Sequence, residues 1–532
     1  MSIEREVTTI FKNGLVVDGS GEPAFHADVA IRAGLISDVG NLKNTPALEV
    51  IDCAGMVVAP GFIDIHTHSD LTLISNPLAQ SKIRQGVTTE VVGNCGFGVA
   101  PLPIGVDIEI LRAAVAYIDL DPGIEWDWKT VDEYLSFMER LKTSVNVATL
   151  VGHIPIHTAI VGYGKYEATR YQIDEMKDLL HEGLSAGAYG FSTGLNYSPI
   201  SYASREELSG FAEVVAKTNT IFAWHMRNYG DDLMKSVQEV IGIAKETGAR
   251  TQISHLVAVG ERNWGAVARA LDEIDKANSQ GADISVDVYP YLAGNCPLSQ
   301  LLPAWAQEGG DQVMKSRLVD AQVRSKIIKE WIDPLLSWSE IQISSVLPGW
   351  ESIIGKSIAD IAETMGKSGD ETALDLLTEM GNSVGIIAFG RSETDLISIF
   401  THPQSLIGSD GQSLDPLGIT GSGSPHPRSY GCYPRLLSSF VGTHGITLER
   451  AIQMSTSAVA KKLHMTDRGQ ITVGSRADLV VFDASKIRDL STFTNPHQYP
   501  EGVPFVMVNG ELAVRNGDHS GARSGSVLRR DV

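Results

Sequence analysis

Pro60-Gly61-Phe62-Ile63-Asp64-Ile65-His66-Thr67-His68-Ser69-Asp70 is the stretch on which the reading of this chain turns. Its apolar residues alternate as in a strand and run into two histidines one residue apart. Positions i and i+2 of a strand face the same way, so His66 and His68 can aim both imidazoles at one point. Two neutral imidazoles converging in this way begin a site for a borderline divalent metal such as zinc. The plainer alternative is a pair of solvated loop histidines, and the rest of the chain decides between the two.

Strand-like blocks recur beyond this one, at Gly61–Ile65, Val87–Gly93, Val145–Gly152, Ala188–Ser192, Thr220–Trp224, Thr251–Ser254, Ile284–Val288 and Leu406–Ser409. Amphipathic stretches separate most of them, among them Tyr171–Ala186, Leu233–Thr247 and Trp264–Ala277. Strand and helix in alternation imply parallel βα units, and eight units suffice for a closed (β/α)8 barrel. The gap from Asn295 to about Phe400 is too long for one crossover; its helical patterns, Gln322–Trp331 and Thr372–Met380, predict an insertion near the barrel mouth. Both ends of the chain are instead strand-rich with turn signals such as Asn13-Gly14, Asp18-Gly19 and Asn509-Gly510, where Asn-Gly and Asp-Gly predict hairpins. The expectation is an α/β, TIM-like barrel over 60–470 with an insertion at about 295–400. A small β-sandwich is expected from 1–59 and 471–532, with a Gly/Ser/Arg-rich tail from Gly517 either mobile or wrapped onto the body.

Composition removes several function classes. At 532 residues with net charge −21, the surface repels nucleic acid and anionic membrane alike. No apolar run approaches the ~18 residues of a membrane span, and Met1–Glu6 lacks the basic and apolar regions of a secretory signal. Cys53, Cys95, Cys296 and Cys432 show no CxxC pairing, which favours a reduced, cytoplasmic setting in which one of them can serve as a thiolate ligand. A homo-oligomer is compatible with all of this.

In such a barrel the chemistry sits at the carboxyl ends of the strands. His66 and His68 fall there on the first, Cys95 after the second, His225 on the fifth, His255 on the sixth and Asp410 on the eighth. Six donors exceed the four of a tetrahedral zinc, so two adjacent metal positions are expected, with Cys95 as the natural bridge. A small buried hydrophobe is the plain alternative for Cys95, although Gly93 and Gly96 beside it favour close approach to something. Asp410 can also accept a proton from an activated water and return it to a leaving nitrogen; its plain alternative is an Asx turn before Gly411.

These residues resemble the amidohydrolase superfamily, in its N-acyl-D-amino-acid deacylase branch. The resemblance runs along nearly the whole chain, through PGFIDIHTHSD, VVGNCG, GAYGFSTGLNYSP, HMRN, ISH, ERNWG, DVYPYLAG, LPAWAQEGG, GSDG, HPRSYGCYPR and GSRADLVVFD. It implies a tight zinc on Cys95, His225 and His255, and a weaker second position facing His66, His68 and Asp410. It also implies a lysine two residues after the sixth-strand histidine to hold the substrate's α-carboxylate, where this chain has Val257. Losing that charge-assisted bond removes roughly 1.5–3 kcal/mol of binding. Arg428, Tyr289, Tyr291 and Tyr197 remain as candidate anchors, with a surface salt bridge the alternative for Arg428. Tyr229 stands where the branch usually carries an acidic residue.

The expected reaction is zinc-assisted hydrolysis of a non-peptide amide, foremost an N-acyl (D-)amino acid, with Asp410 as general acid and base. His153, ending the third strand, is a candidate for the oxyanion or for a structural hydrogen bond. Rival readings are an amide lacking a free α-carboxylate, a cyclic amide, a lactone or a carbamate. A deaminase would need an HxE element that this chain does not show, and a non-catalytic barrel scaffold would typically have lost ligands.

Overall fold

The computed structural model describes residues 6–102, 108–164, 166–331 and 334–531; Met1–Arg5, part of the start read for a signal, lie outside them. Eight parallel strands form the central sheet: β1 Phe62–Asp64, β2 Val87–Val92, β3 Asn146–Gly152, β4 Gly190–Gly194, β5 Ile221–His225, β6 Arg250–Ile253, β7 Ile284–Val288 and β8 Ser405–Ile407. Each pairs with the next in chain order. The ring closes just past the ends of β1 and β8, where Asp410 N donates to His66 O (2.7 Å) and His68 N donates to Gly411 O (2.9 Å). Every residue of β2, β3, β4, β5 and β7 is buried, as parallel strands covered by helices require. The covering helices include Arg170–Ser185, Arg205–Thr218, Leu233–Thr247 and Ala266–Ser279. Thr169 and Gln172 form a capping box at the start of the first, and Gly248 in the left-handed region ends the third.

Lys82 lies fully buried between β1, β2 and β8, its Nζ 2.8 Å from Asp64 Oδ2, bonded to Ser409 Oγ and 3.9 Å from Glu90 Oε2. Three strands are thereby tied to one buried cation.

Strands from both termini make one continuous nine-stranded sheet, joined where Leu479–Phe482 pairs antiparallel with Val57–Pro60. Its core mixes the two ends: Phe11, Val29 and Val58 pack with Leu479, Val481 and Met507. Asn509-Gly510 makes the expected two-residue hairpin, both residues at positive φ (50° and 86°). Asn13-Gly14 does not. Thr9–Val16 is one strand, with a bulge at Lys12-Asn13 opposite Asp28 and Gly14 back in register against Ala27. Two acidic side chains hold Asn13 at φ 60°: its N–H donates to Asp28 and its side-chain amide to Asp52, both at 2.9 Å. The N–H and the amide of Asn13 therefore stay paired within the bulge.

The insertion after β7 contains a three-stranded antiparallel sheet, Ala293–Pro297, Gly385–Phe389 and Ile341–Ser345, with the middle of these central. Helices Ala321–Glu330, Ile358–Met365 and Gly369–Met380 share its separate apolar core. Sequence periodicity anticipates helices here, at Gln322–Trp331 and Thr372–Met380, but not the sheet. Among the described residues no helix is long and apolar enough to cross a membrane.

Candidate active site

The six expected ligands meet at one mouth of the barrel, in two groups that share Cys95. His66, His68, Cys95 and Asp410 place one donor atom each within 4.8 Å of one another, and so do Cys95, His225 and His255. The elements deliver them in unusual conformations. Cys95 (φ 55°), His255 (φ 33°) and Asp410 (φ 52°) all occupy the left-handed region that side chains other than glycine avoid. Strain of this kind persists only where surrounding structure enforces it, and it gathers at functional sites. Gly93 shows the enforcement: a Cβ there would lie 2.2 Å from Leu150 O, so the loop carrying Cys95 can sit flush on β3.

Three of the ring nitrogens lack conventional partners. Both ring nitrogens of His225 and Nδ1 of His68 are buried with no hydrogen-bond partner. Cys95 Sγ lies 3.2 Å from His66 Nε2 and 3.5 Å from His255 Nε2. Burial pushes His225 down to about 3, and pushes His255 well below its ordinary value, so both imidazoles are neutral. Burial also drives the Cys95 thiol up to about 11. Neutral imidazoles, a thiol and a carboxylate aimed at shared points, with ring nitrogens unbonded, fit zinc; a cation there would stabilise the thiolate that burial alone disfavours.

Asp410 is held from two sides. Its Oδ2 accepts from Arg428 Nη1 (2.6 Å), and its Oδ1 lies 3.0 Å from His68 Nε2 and 3.4 Å from His66 Nε2. Burial would raise its pKa, but Arg428 and His66 override this and hold the carboxyl well below the usual range. Asp287, on β7, was not singled out from the sequence. It orients His66 through Nδ1 (3.1 Å) and accepts from the backbone N–H of His255 (2.8 Å). Tyr229 braces the other side: its hydroxyl accepts from Met226 N (2.9 Å) and donates to Ser254 O (3.1 Å), and its ring stands edge-on to His225 and His255.

Above the donors lies a cavity of about 260 Å³, lined among others by Tyr117, Tyr197, His225, Val257, Tyr289, Arg391 and Asp410. Of the expected substrate contacts, Tyr197, Tyr289 and Val257 reach it. Arg428 does not line it; it sits behind Tyr289, bonded to that hydroxyl (2.7 Å), to Tyr117 (3.3 Å) and to Asp410. Tyr291 donates to Asp489 (2.7 Å) instead of facing the cavity. His153 is also turned away. Nε2 meets Glu207 (2.7 Å) and Nδ1 meets Thr193 (2.9 Å), so of its two expected roles the geometry matches the structural one.

The sequence pattern of the amidohydrolase family matches residues 49–279 and 420–514. An N-acyl-D-glutamate deacylase of Alcaligenes xylosoxydans xylosoxydans is 33% identical over 531 residues, covering 100% of this chain and 98% of that one. The crystal structure of an N-acyl-D-glutamate deacylase from Bordetella bronchiseptica, complexed with zinc and a phosphonate mimic of the tetrahedral intermediate, superposes with a TM-score of 0.83 at 31% identity, covering 99% of this chain and 100% of that one. A D-aminoacylase structure reported for its binuclear metal centre superposes with a TM-score of 0.84 at 32% identity, over 98% and 100% of the two chains. With likeness running from one end to the other in sequence and in fold, this chain belongs to the amidohydrolase family, hydrolases of carbon–nitrogen bonds other than peptide bonds.

Proposed function

We propose that the chain is a zinc-dependent deacylase of N-acyl-D-amino acids. Cys95, His225 and His255 would hold the tighter zinc, and His66, His68 and Asp410 would face a second, weaker position. The observation that carries this reading is the division of labour in Asp410. Arg428 fixes one carboxylate oxygen, while the other lies 3.0 Å from His68 Nε2 and 3.4 Å from His66 Nε2, among the candidate ligands at the floor of the cavity.

When bound, zinc supplies a Lewis acid that polarises the acyl carbonyl and makes water nucleophilic near neutral pH. Asp410, ionised at neutral pH, accepts the proton of the attacking water at Oδ1 and delivers it to the departing nitrogen. Arg428 keeps that oxygen aimed at the reacting atoms throughout. Tyr117, Tyr197 and Tyr289 narrow the approach and limit the water that can compete. The D configuration rests on the relatives' activities, and a reducing, cytoplasmic setting suits a site built on a free cysteine.

The test is turnover of N-acetyl-D- and N-acetyl-L-amino acids, their carboxamides and simple lactones by zinc-loaded protein. Release of acetate from the D-amino acids is expected, with Asp410→Ala losing about 10³-fold or more in kcat while retaining one zinc per chain. An active Asp410→Ala variant refutes its proton-transfer role, and preference for a lactone refutes the deacylase.

A further inference from the structure

Three charged side chains reach the cavity: Arg227, Arg391 and Asp410. Asp410 is engaged by Arg428 and the histidines. Arg227 is equally occupied: its Nε lies 3.0 Å from both carboxylate oxygens of Glu239, and its other nitrogens donate to Ser201 O (2.9 Å) and Ala203 O (2.6 Å).

Arg391 differs. It follows the central strand of the insertion sheet, and its guanidinium lies over the Tyr289 ring, 4.7 Å from the centroid. It also rests against Gly294, where an added Cβ would come within 2.6 Å of Nη2. No carboxylate among the described residues pairs with it, and its buried Nη1 has no hydrogen-bond partner there. A buried guanidinium nitrogen left unpaired is a cost that a docked carboxylate removes, because planar Arg and carboxylate match in geometry. Arg428 is less well placed for this part: it does not line the cavity, and three of its five N–H donors go to Asp410, Tyr289 and Tyr117.

The surroundings of Arg391 limit what else the substrate can carry. Val257, Val259, Leu301, Leu335, Leu336 and Ala388 give the cavity an apolar wall, and its other polar groups include neutral amides such as Asn228, Asn295 and Gln300. A second substrate carboxylate would meet no other uncommitted cation among the described cavity residues, and burying it unpaired against that wall is strongly unfavourable. We propose that Arg391 is the specificity-determining residue that grips the substrate's single carboxylate, and that the pocket takes N-acyl amino acids with an apolar rather than an acidic side chain. This rests on the deacylase reading above and narrows its substrate class.

The experiment compares zinc-loaded wild type, Arg391→Met and Arg391→Lys on N-acetyl-D-leucine, N-acetyl-D-leucinamide and N-acetyl-D-glutamate. Wild type is expected to favour N-acetyl-D-leucine over the other two by 10-fold or more. Arg391→Met should lose about 10–100-fold in kcat/KM on N-acetyl-D-leucine, chiefly through KM, and stay within about twofold on the carboxamide. Arg391→Lys should recover part of the loss. Equal losses on acid and amide overturn the anchor, and a wild-type preference for N-acetyl-D-glutamate overturns the apolar side chain. Calorimetric binding of the analogue of N-acetyl-D-leucine with CH2 in place of the amide NH reads the anchor without turnover. Weaker binding to Arg391→Met than to wild type upholds the anchor even if no substrate is hydrolysed and the deacylase reading fails; equal binding overturns it.

Discussion

Asp287 shows how one side chain can set two proposed ligands at once. It meets the ring of His66 and the backbone of His255, so its loss would free both from their orientations. Partners that orient metal-binding histidines typically matter 10–100-fold in affinity. Asp287→Ala is therefore expected to weaken zinc binding by about 10–100-fold in competition with a chromophoric chelator, and unchanged affinity would show that packing alone positions the pair. The signal for Asp287 was present in Ile284-Ser285-Val286-Asp287-Val288, where polar residues alternate and so share one face of the strand. Both touch Gln252 on the neighbouring strand. Chemistry at strand ends was legible because residue type and strand parity together point at the mouth. Arg391 carried no such mark: a loop residue is aimed by how the insertion that carries it packs over the barrel, which no local pattern records.

At the scale of elements, the eight barrel strands were readable because short strand-like blocks alternate with amphipathic stretches, the pattern of parallel βα units. The insertion sheet was not. Ala293-Gly294-Asn295-Cys296-Pro297 has low strand propensity, and only pairing with Gly385–Phe389 makes it a strand. The helix Arg428–Arg435 illustrates a different tertiary constraint. Its Gly431 sits so close to Asp489 that a Cβ would lie 1.9 Å from Oδ1, and Asp489 also accepts from Tyr291. Burial pushes the Asp489 carboxyl up to about 6, from an ordinary 3.8. The folded state then binds more protons than the unfolded state between those values. The stabilisation is complete below the lower value and is lost as pH rises through about 6. Asp489→Asn, neutral throughout, escapes that loss. Between pH 5 and pH 7.5 its unfolding free energy in urea is expected to gain about 1–2 kcal/mol relative to wild type. A difference that stays constant over this range would mean that Asp489 is solvated and ordinary.

Across the whole molecule, the two termini do more than close a peripheral sheet. Val57–Pro60 runs through Gly61 directly into β1, so the terminal sheet and the barrel share a continuous backbone. The C-terminal tail crosses to the far end of the barrel from the proposed zinc ligands, where β3 begins. Gly525 N donates to Thr143 O and Leu528 N to Val147 O, both at 2.8 Å, and Ser526 N donates to Asn146 Oδ1 (3.0 Å). Arg529 pairs with Asp132 (2.6 Å) and Glu139 (2.8 Å) on a covering helix. Composition marked Gly517–Val532 only as either mobile or wrapped back; Gly and Ser are compatible with both, and hydrogen bonding to β3 decides for the second. Asn146 makes the seam sensitive to loss. It is buried, and its amide already serves Thr88 O and Asp478 Oδ2, each at 3.0 Å, so losing the Ser526 N–H leaves its Oδ1 only the Asn509 amide. Ending the chain after Ser520 removes at least three backbone hydrogen bonds, each worth about 1 kcal/mol net, together with two partly exposed ion pairs of smaller value. The truncated protein is expected to lose about 2–4 kcal/mol of stability, read as an earlier urea midpoint. Because the stability-bearing face of such a barrel lies opposite its chemistry, kcat/KM at 25 °C should stay within about twofold. An unchanged midpoint would show that the tail adds nothing to the fold, and a collapse of kcat/KM with an intact midpoint would show that the two ends of the barrel are coupled.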